Sequence, residues 1–189
     1  MLFRSTAVLT VVLANYNHAR FLPRALDAIL SQSVRPSEVI AVDDASTDNS
    51  LEVLNHYARR DPVLRVVRNE ANLGVTRNYN KGLGLASRRY VMLAAADDYL
   101  LPGFIAKSIA ELEQHSEAGL CFANDSFQRG ENGPVETNAC GWCESPAFFT
   151  PNEVCRQLHR VIPGHAVICR REPLLKVGGL RPEIGRAHV

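Results

Sequence analysis

The stretch "EVIAVDDASTDNSLEVLNHYARR", residues 38–60, decides how the chain folds. It opens with an apolar run, Val39 to Val42, that stops abruptly at two adjacent aspartates, Asp43 and Asp44. A short aliphatic run bounded by polar turn-formers reads as a buried strand. Residues 48–60 then read as a helix, with Asp48 placed to cap it. The same alternation extends both ways. Upstream, "AVLTVVLA" (7–14) is an expected strand. In "FLPRALDAILSQ" (21–32), Phe21, Leu22, Ala25, Leu26, Ile29 and Leu30 repeat at helical spacing, with Pro23 in a tolerated first-turn position. Downstream come strands at 64–69 and 90–95 and helices at 76–87 and 103–115, the first of these helices weakened by two glycines. A β-α-β-α order predicts a three-layer α/β/α fold around a mostly parallel sheet. Past Gly119 the pattern loosens: a short strand at 119–125, a loop over 128–147, and a helix at 150–160 opened by a Thr150–Glu153 capping box. Residues 165–179 read as a short strand, a short helix and a glycine stop.

Composition bounds the function. The chain has 189 residues, 46% apolar and 22% charged, with formal net charge +1. That suits one globular domain and carries no basic excess for a nucleic-acid partner. No apolar run approaches the ~18 residues of a membrane span. "MLFRSTAVLTVVLANYN" faintly resembles a signal peptide but reads better as a first strand, so a cytoplasmic protein is expected. Five cysteines without a small-scaffold context are expected to be reduced thiols.

Polar clusters follow three of the strands: Asn15-Tyr16-Asn17, Asp43-Asp44 and Asp97-Asp98. A parallel sheet gathers the C-terminal ends of its strands on one edge, where such folds bind ligands. The clusters are therefore expected to be neighbours at a cleft rim. Hard cations such as Mg²⁺ or Mn²⁺ take oxygen ligands and share them with phosphates, which would relieve the repulsion of Asp97 and Asp98. Helix or turn capping by each aspartate is the competing reading, and both stay open.

Two longer segments, "TVVLANYNHARFLPRALDAILSQSVRPSEVIAVDDASTDNS" and "NEANLGVTRNYNKGLGLASRRYVMLAAADDYLLPGF", resemble the family-2 glycosyltransferases of the Rossmann-like GT-A fold. The resemblance runs over roughly residues 7–180, and "VDDASTD" is its most specific block. It implies an inverting enzyme that takes a nucleoside diphosphate sugar, with UDP the expected nucleotide, and a role in cell-surface polysaccharide. Asn15 and Tyr16 would line the nucleotide pocket, Asp43 would accept a uracil N–H, and Arg77 would reach a phosphate. Asp97 or Asp98 would hold the divalent cation on the diphosphate. "AAADD" departs from the family's Asp-x-Asp-Asp block, since Ala95 stands at the first acid. The acceptor, whether glycan, lipid-linked or protein, is left open, as is attachment to the inner face of a membrane.

The resemblance also implies a division of labour: one GT-A-like domain over 1–183, with the donor part at 7–125 and an incomplete acceptor part at 126–183. The family's general base follows a segment like "RREPLLKVGGLRPE", and no acidic motif follows it here. The last residues, "EIGRAHV", back-translate to a string resembling a short-read sequencing adapter, so residues 184–189 are expected to be a non-native tail. Asp125 and His165 are the reserve candidates for a base. A non-catalytic nucleotide-binding module is the alternative function. A receiver-like signalling domain is weaker, because the acid-pair strand comes second rather than first. Cys140, Cys143, Cys155 and His159 have a spacing that zinc could use, with unrelated thiols as the competing reading.

Overall fold

The central strand is β1 (Leu9–Asn15), whose seven residues are all buried. The computed structural model describes residues 8–123, 125–128, 133–138, 147–156 and 167–182. On one side of β1 lies β2 (Glu38–Asp43), and on the other β4 (Tyr90–Ala95), both parallel to it. β3 (Leu64–Arg68) extends the sheet beyond β2, also parallel. Beyond β4 come β8 (Val167–Arg170), antiparallel to its neighbours, and then β5 (Leu120–Phe122). The six-stranded order is β3-β2-β1-β4-β8-β5.

Alternate strand residues face opposite sides, so each side needs its own helices. Leu9, Val11 and Leu13 pack with Leu22, Leu26 and Ile29 of α1 (Leu22–Leu30). The same face takes Leu54 of α2 (Ser50–Arg60) and Ile105, Ile109 and Leu112 of α4 (Phe104–Gln114). Val12, Ala14, Ile40 and Val42 pack instead with Tyr79 and Leu83 of α3 (Val75–Leu85). This is the three-layer α/β/α arrangement expected from the alternation. The α1 and α2 connections carry the chain outward from β1 to β3, and the α3 connection returns it to the far side of β1. The connections thus diverge at the C-terminal end of β1, where open α/β sheets form their crevice.

The glycines of α3 have unequal roles. A Cβ on Gly82 would fall 2.2 Å from Val12 Cγ1, so the missing side chain is what lets the helix backbone rest on β1. A Cβ on Gly84 would meet nothing within 4 Å. Opposite signs are expected in urea denaturation. Gly82→Ala should destabilise by about 2 kcal/mol through overpacking. Gly84→Ala should stabilise by up to about 1 kcal/mol through helix propensity.

The C-terminal third adds smaller pieces. β6 (Asp125–Gln128) and β7 (Val135–Asn138) form an antiparallel ribbon. β7 falls inside the segment expected to be loop, because "VETN" has too few apolar residues to announce a strand. α5 (Pro151–Arg156) starts with the expected capping box: the Thr150 N–H donates to Glu153 Oε2 at 2.7 Å, and the Glu153 N–H donates to Thr150 Oγ1 at 3.4 Å. α6 (Arg171–Lys176) stops before Gly178 and Gly179, which take φ of +85° and +74°. Among the described residues, no helix is long and apolar enough to cross a membrane.

Candidate functional site

Strand register brings the polar clusters together. Asn15 pairs with Asp43 across β1 and β2, and Ala14 pairs with Ala95 across β1 and β4. Over this edge opens a cleft of about 370 Å³. Asn15, Tyr16 and His18 line it from the end of β1, Ala95 and Asp97 from the end of β4, and Asn78 and Tyr79 from α3. Asp44, Asn72, Gly74 and Val75 complete the wall.

The two aspartates after β2 do different work. Asp43 lies beneath the cleft rather than on its wall, with no exposed surface. Its Oδ1 accepts from Asn15 Nδ2 at 2.8 Å and from Ser46 Oγ at 2.5 Å, and its Oδ2 accepts from the Ser46 N–H at 3.2 Å. Ser46 Oγ in turn accepts from the Asn17 N–H at 3.0 Å. Asn17, at a positive φ of 55°, accepts the Thr47 N–H on its Oδ1 at 2.8 Å. The loops after β1 and β2 are stitched into one unit. Asp44 faces the cleft from the next position and holds the Asn72-Leu73-Gly74 turn. It accepts the Leu73 N–H at 2.9 Å, the Gly74 N–H at 2.8 Å and Asn69 Nδ2 at 2.8 Å. Burial pulls its pKa upward, but the Leu73, Asn69 and Gly74 donors together outweigh this and hold the carboxyl below its ordinary range. Asn69 also donates to Asn78 Oδ1 at 2.6 Å and accepts from Lys81 Nζ at 2.6 Å.

Asp48 caps α2 one residue further out than the sequence suggests. Asn49 holds the N-cap position without a side-chain bond, and Asp48 Oδ1 reaches the Ser50 N–H at 2.9 Å. Its other oxygen accepts the Ala19 N–H at 3.0 Å, tying α2 to the loop after β1.

Of the candidates read from sequence, Asn15, Tyr16 and Asp97 share the cleft wall, with Asp43 directly behind Asn15. Asp98 turns to a smaller hollow lined by Ile29, Met92 and Tyr99. Arg77 is exposed on α3 and does not line the cleft. Asp44, read from sequence as part of the Asp43-Asp44 cluster, also lines it, and His18, Asn78 and Tyr79 do so without having been singled out from sequence. His18 Nδ1 lies 3.9 Å from Asp97 Oδ1. Tyr79 gave no signal because a buried aromatic on a helix reads as core. Its ring is core, at 6% exposure, but its hydroxyl is buried without a hydrogen-bond partner among the described residues. Burial, then the Asp98 and Asp97 carboxylates, push the phenol pKa far above its ordinary value, so the hydroxyl keeps its proton.

Cys140, Cys143, His159, His165 and the tail 183–189 lie outside the described residues, as does the side chain of Cys155. Among the described cysteines, Cys121 and Cys169 are free thiols, and burial pushes Cys169 up to about 11. Among the described residues, no three His, Cys, Asp or Glu side chains converge as a ready metal cage.

A family model described as "Glycosyl transferase family 2" matches residues 10–178. The chain belongs to this family. Curated relatives include the uncharacterised glycosyltransferase YibD of Escherichia coli, 32% identical over 128 residues, covering 67% of this chain and 37% of YibD. An uncharacterised glycosyltransferase of Haemophilus influenzae is 30% identical, covering 57% of this chain and 33% of its own length. The chain thus spans about a third of these relatives. Among solved structures, S. aureus TarS 1–349 in complex with UDP superposes with a TM-score of 0.72 at 23% identity, covering 95% of this chain and 52% of TarS. The mannosyltransferase PcManGT of Pyrobaculum calidifontis, in complex with GDP-Man and Mn²⁺, gives 0.67 at 22%, covering 92% of this chain and 47% of its own. At those identities the likeness is one of fold: a GT-A glycosyltransferase sheet.

Proposed function

We propose that this chain is the donor-binding part of a glycosyltransferase that takes a UDP-sugar with a Mg²⁺ or Mn²⁺ ion. In the complete protein, the sugar passes with inversion to an acceptor hydroxyl. The observation that carries the reading is the cleft at the β1–β2–β4 edge, where Asn15, Tyr16 and Asp97 meet in a chain of this family. The nucleotides bound in the TarS and PcManGT structures support it.

The roles follow from placement. Tyr16, 43% exposed at the rim, offers a ring face to the base. Asp43 acts on the base through Asn15, whose amide it holds, rather than by direct contact. Asp97, with Asp98 adjacent, would hold the cation. One carboxylate suffices when phosphates and waters fill the remaining positions, so Asp97 on the cleft wall fits a hard divalent ion, while Asp98 lines the neighbouring hollow. Such an ion, when bound, neutralises charge on the departing nucleoside diphosphate. Arg77, exposed on α3 and off the cleft wall, is not assigned a phosphate contact. Residues 7–125 hold the donor part, and 126–183 begin the acceptor part.

Calorimetry with UDP tests this. Affinity should fall at least tenfold when EDTA replaces Mn²⁺, and Asp97→Asn should erase the difference. UDP binding equally well in EDTA would remove the metal from the site. Ala95, at the position where the family has an acid, favours a second reading, a nucleotide-binding module without turnover. The complete gene product binding UDP but hydrolysing or transferring no UDP-sugar would establish that instead.

A further inference from the structure

Asn80 follows directly on Asn78 and Tyr79, the two residues that α3 gives to the cleft wall. Its own side chain leaves the helix elsewhere. Asn78 and Gly82, both buried, stand one turn apart on the sheet face, and Asn80 projects about 200° round the helix from either. On that outer flank it meets the chain that follows α6. Asn80 Nδ2 donates to Leu180 O at 2.7 Å, and Asn80 Oδ1 accepts the Leu180 N–H at 2.9 Å. The side-chain amide thus pairs with the Leu180 backbone as a neighbouring strand would, across 100 residues of sequence. It cannot be turned over, because both bonds would then oppose like groups. The close approach requires a glycine. Gly179 takes φ of +74°, and a Cβ there would fall 2.7 Å from Asn80 Oδ1. Apolar burial holds this segment only lightly. α6 buries no residue, and Leu174 and Leu180 rest partly buried against the cluster that contains Tyr79 and Leu83.

We infer that Asn80 is a positioning residue of the donor cleft: by latching Leu180 it holds α3 in the stance that puts Asn78 and Tyr79 on the cleft wall. The inference rests on the donor reading above and adds a residue that acts on the cleft from outside it. A helix supported on one face can roll on that support. α3 is gripped on two, by Val12 beneath Gly82 and by Leu180 outside Asn80. The latch is also the part able to open, since few apolar contacts back it and local opening follows low contact density. A nucleotide that needs Asn78 and Tyr79 in place binds the latched stance better than the unlatched one. Binding and latching then favour each other by one and the same factor.

That equality is the test. Amide exchange is followed at Leu180 in the 189-residue chain, with and without saturating UDP and Mn²⁺. UDP should slow it about fivefold, the low end of ordinary site-to-site coupling. Calorimetry well below the melting temperature then compares UDP affinity in two variants that break the latch from opposite sides. Asn80→Ala removes both bonds and leaves the Leu180 segment unaltered. Gly179→Ala drives that segment off Asn80 and leaves α3 unaltered. Each should bind UDP about fivefold more weakly, matching the exchange factor. Leu180 exchange indifferent to UDP, or both variants within twofold of the unmutated affinity, would make the latch purely structural and overturn the inference. A loss in Asn80→Ala without one in Gly179→Ala would place the effect in α3 alone and overturn it too. An unmutated chain that does not bind UDP would defeat the donor reading itself, and this role with it.

Discussion

Asp44→Ala should cost about 4 kcal/mol of stability and abolish measurable UDP binding. The carboxylate is 1% exposed and receives three donors: the Leu73 N–H, the Gly74 N–H and the Asn69 amide. Bonds to a charged acceptor are each worth ~1.5–3 kcal/mol, and removing the acceptor strands the donors in a dry place. The sum is less than additive because the turn can relax toward solvent. Relaxation is also what ruins the cleft, since Asn72, Gly74 and Val75 form one wall. Asp44→Asn keeps the volume but points an NH₂ group at N–H donors, so it should recover less than half of the loss. The pH dependence has a definite sign. The folded-state pKa lies below that of the unfolded chain, so the stabilisation is complete above the ordinary aspartate range and disappears as pH falls through the folded value. Urea midpoints measured from pH 7 down to pH 3 should drop below about pH 4 in the unmutated chain. In Asp44→Ala they should drop less. Identical pH slopes in both proteins would show that another carboxylate dominates.

The left half of the sheet was legible because each residue obeyed local rules. Val11, Val12, Ile40 and Val42 are buried on both faces of a parallel sheet, which demands continuous apolar runs. The polar residues that end those runs had to fall on one edge, so Asn15 and Asp97 could be placed together from topology alone. What stayed hidden was not local. Asp43 and Asp44 are chemically identical in sequence, and only the alternation of the strand end decides that one supports Asn15 while the other folds the Leu73-Gly74 turn. Gly82 read as a weakness because its reason is Val12, seventy positions earlier. β8 was expected as a strand, but nothing in "VICR" says that it inserts between β4 and β5 and runs against both.

One side chain reinforces that insertion, and Arg170→Ala should cost about 3 kcal/mol. Arg170 reaches back from β8 to the end of α4, where helical carbonyls run out of intrahelical donors. Its Nε donates to Ala118 O at 2.7 Å, and its Nη2 donates to the carbonyls of Leu112 and His115. Nη1 donates to the Tyr90 hydroxyl at 3.2 Å, which itself donates to Glu113 Oε1 at 2.7 Å. A cation at a helix C-terminus is also favoured by the helix dipole. The planar fork serves several acceptors at once, which a lysine ammonium on a flexible stem cannot, so Arg170→Lys should recover less than half of the loss. Urea denaturation measures both. A cost below about 1 kcal/mol for Arg170→Ala would mean that water replaces the guanidinium at no penalty. Nucleotide binding separates this device from the site. The cleft is built from the ends of β1, β2 and β4 and from α3, none of which Arg170 touches on the cleft side. The segment after β8 has a second anchor, where Asn80 Nδ2 donates to Leu180 O at 2.7 Å and Asn80 Oδ1 accepts the Leu180 N–H at 2.9 Å. Well below its melting temperature, Arg170→Ala should therefore bind UDP within about twofold of the unmutated chain. Its β5 and β8 amides should exchange faster while those of β1 and β2 do not, because the right edge opens before the left half that carries the donor cleft.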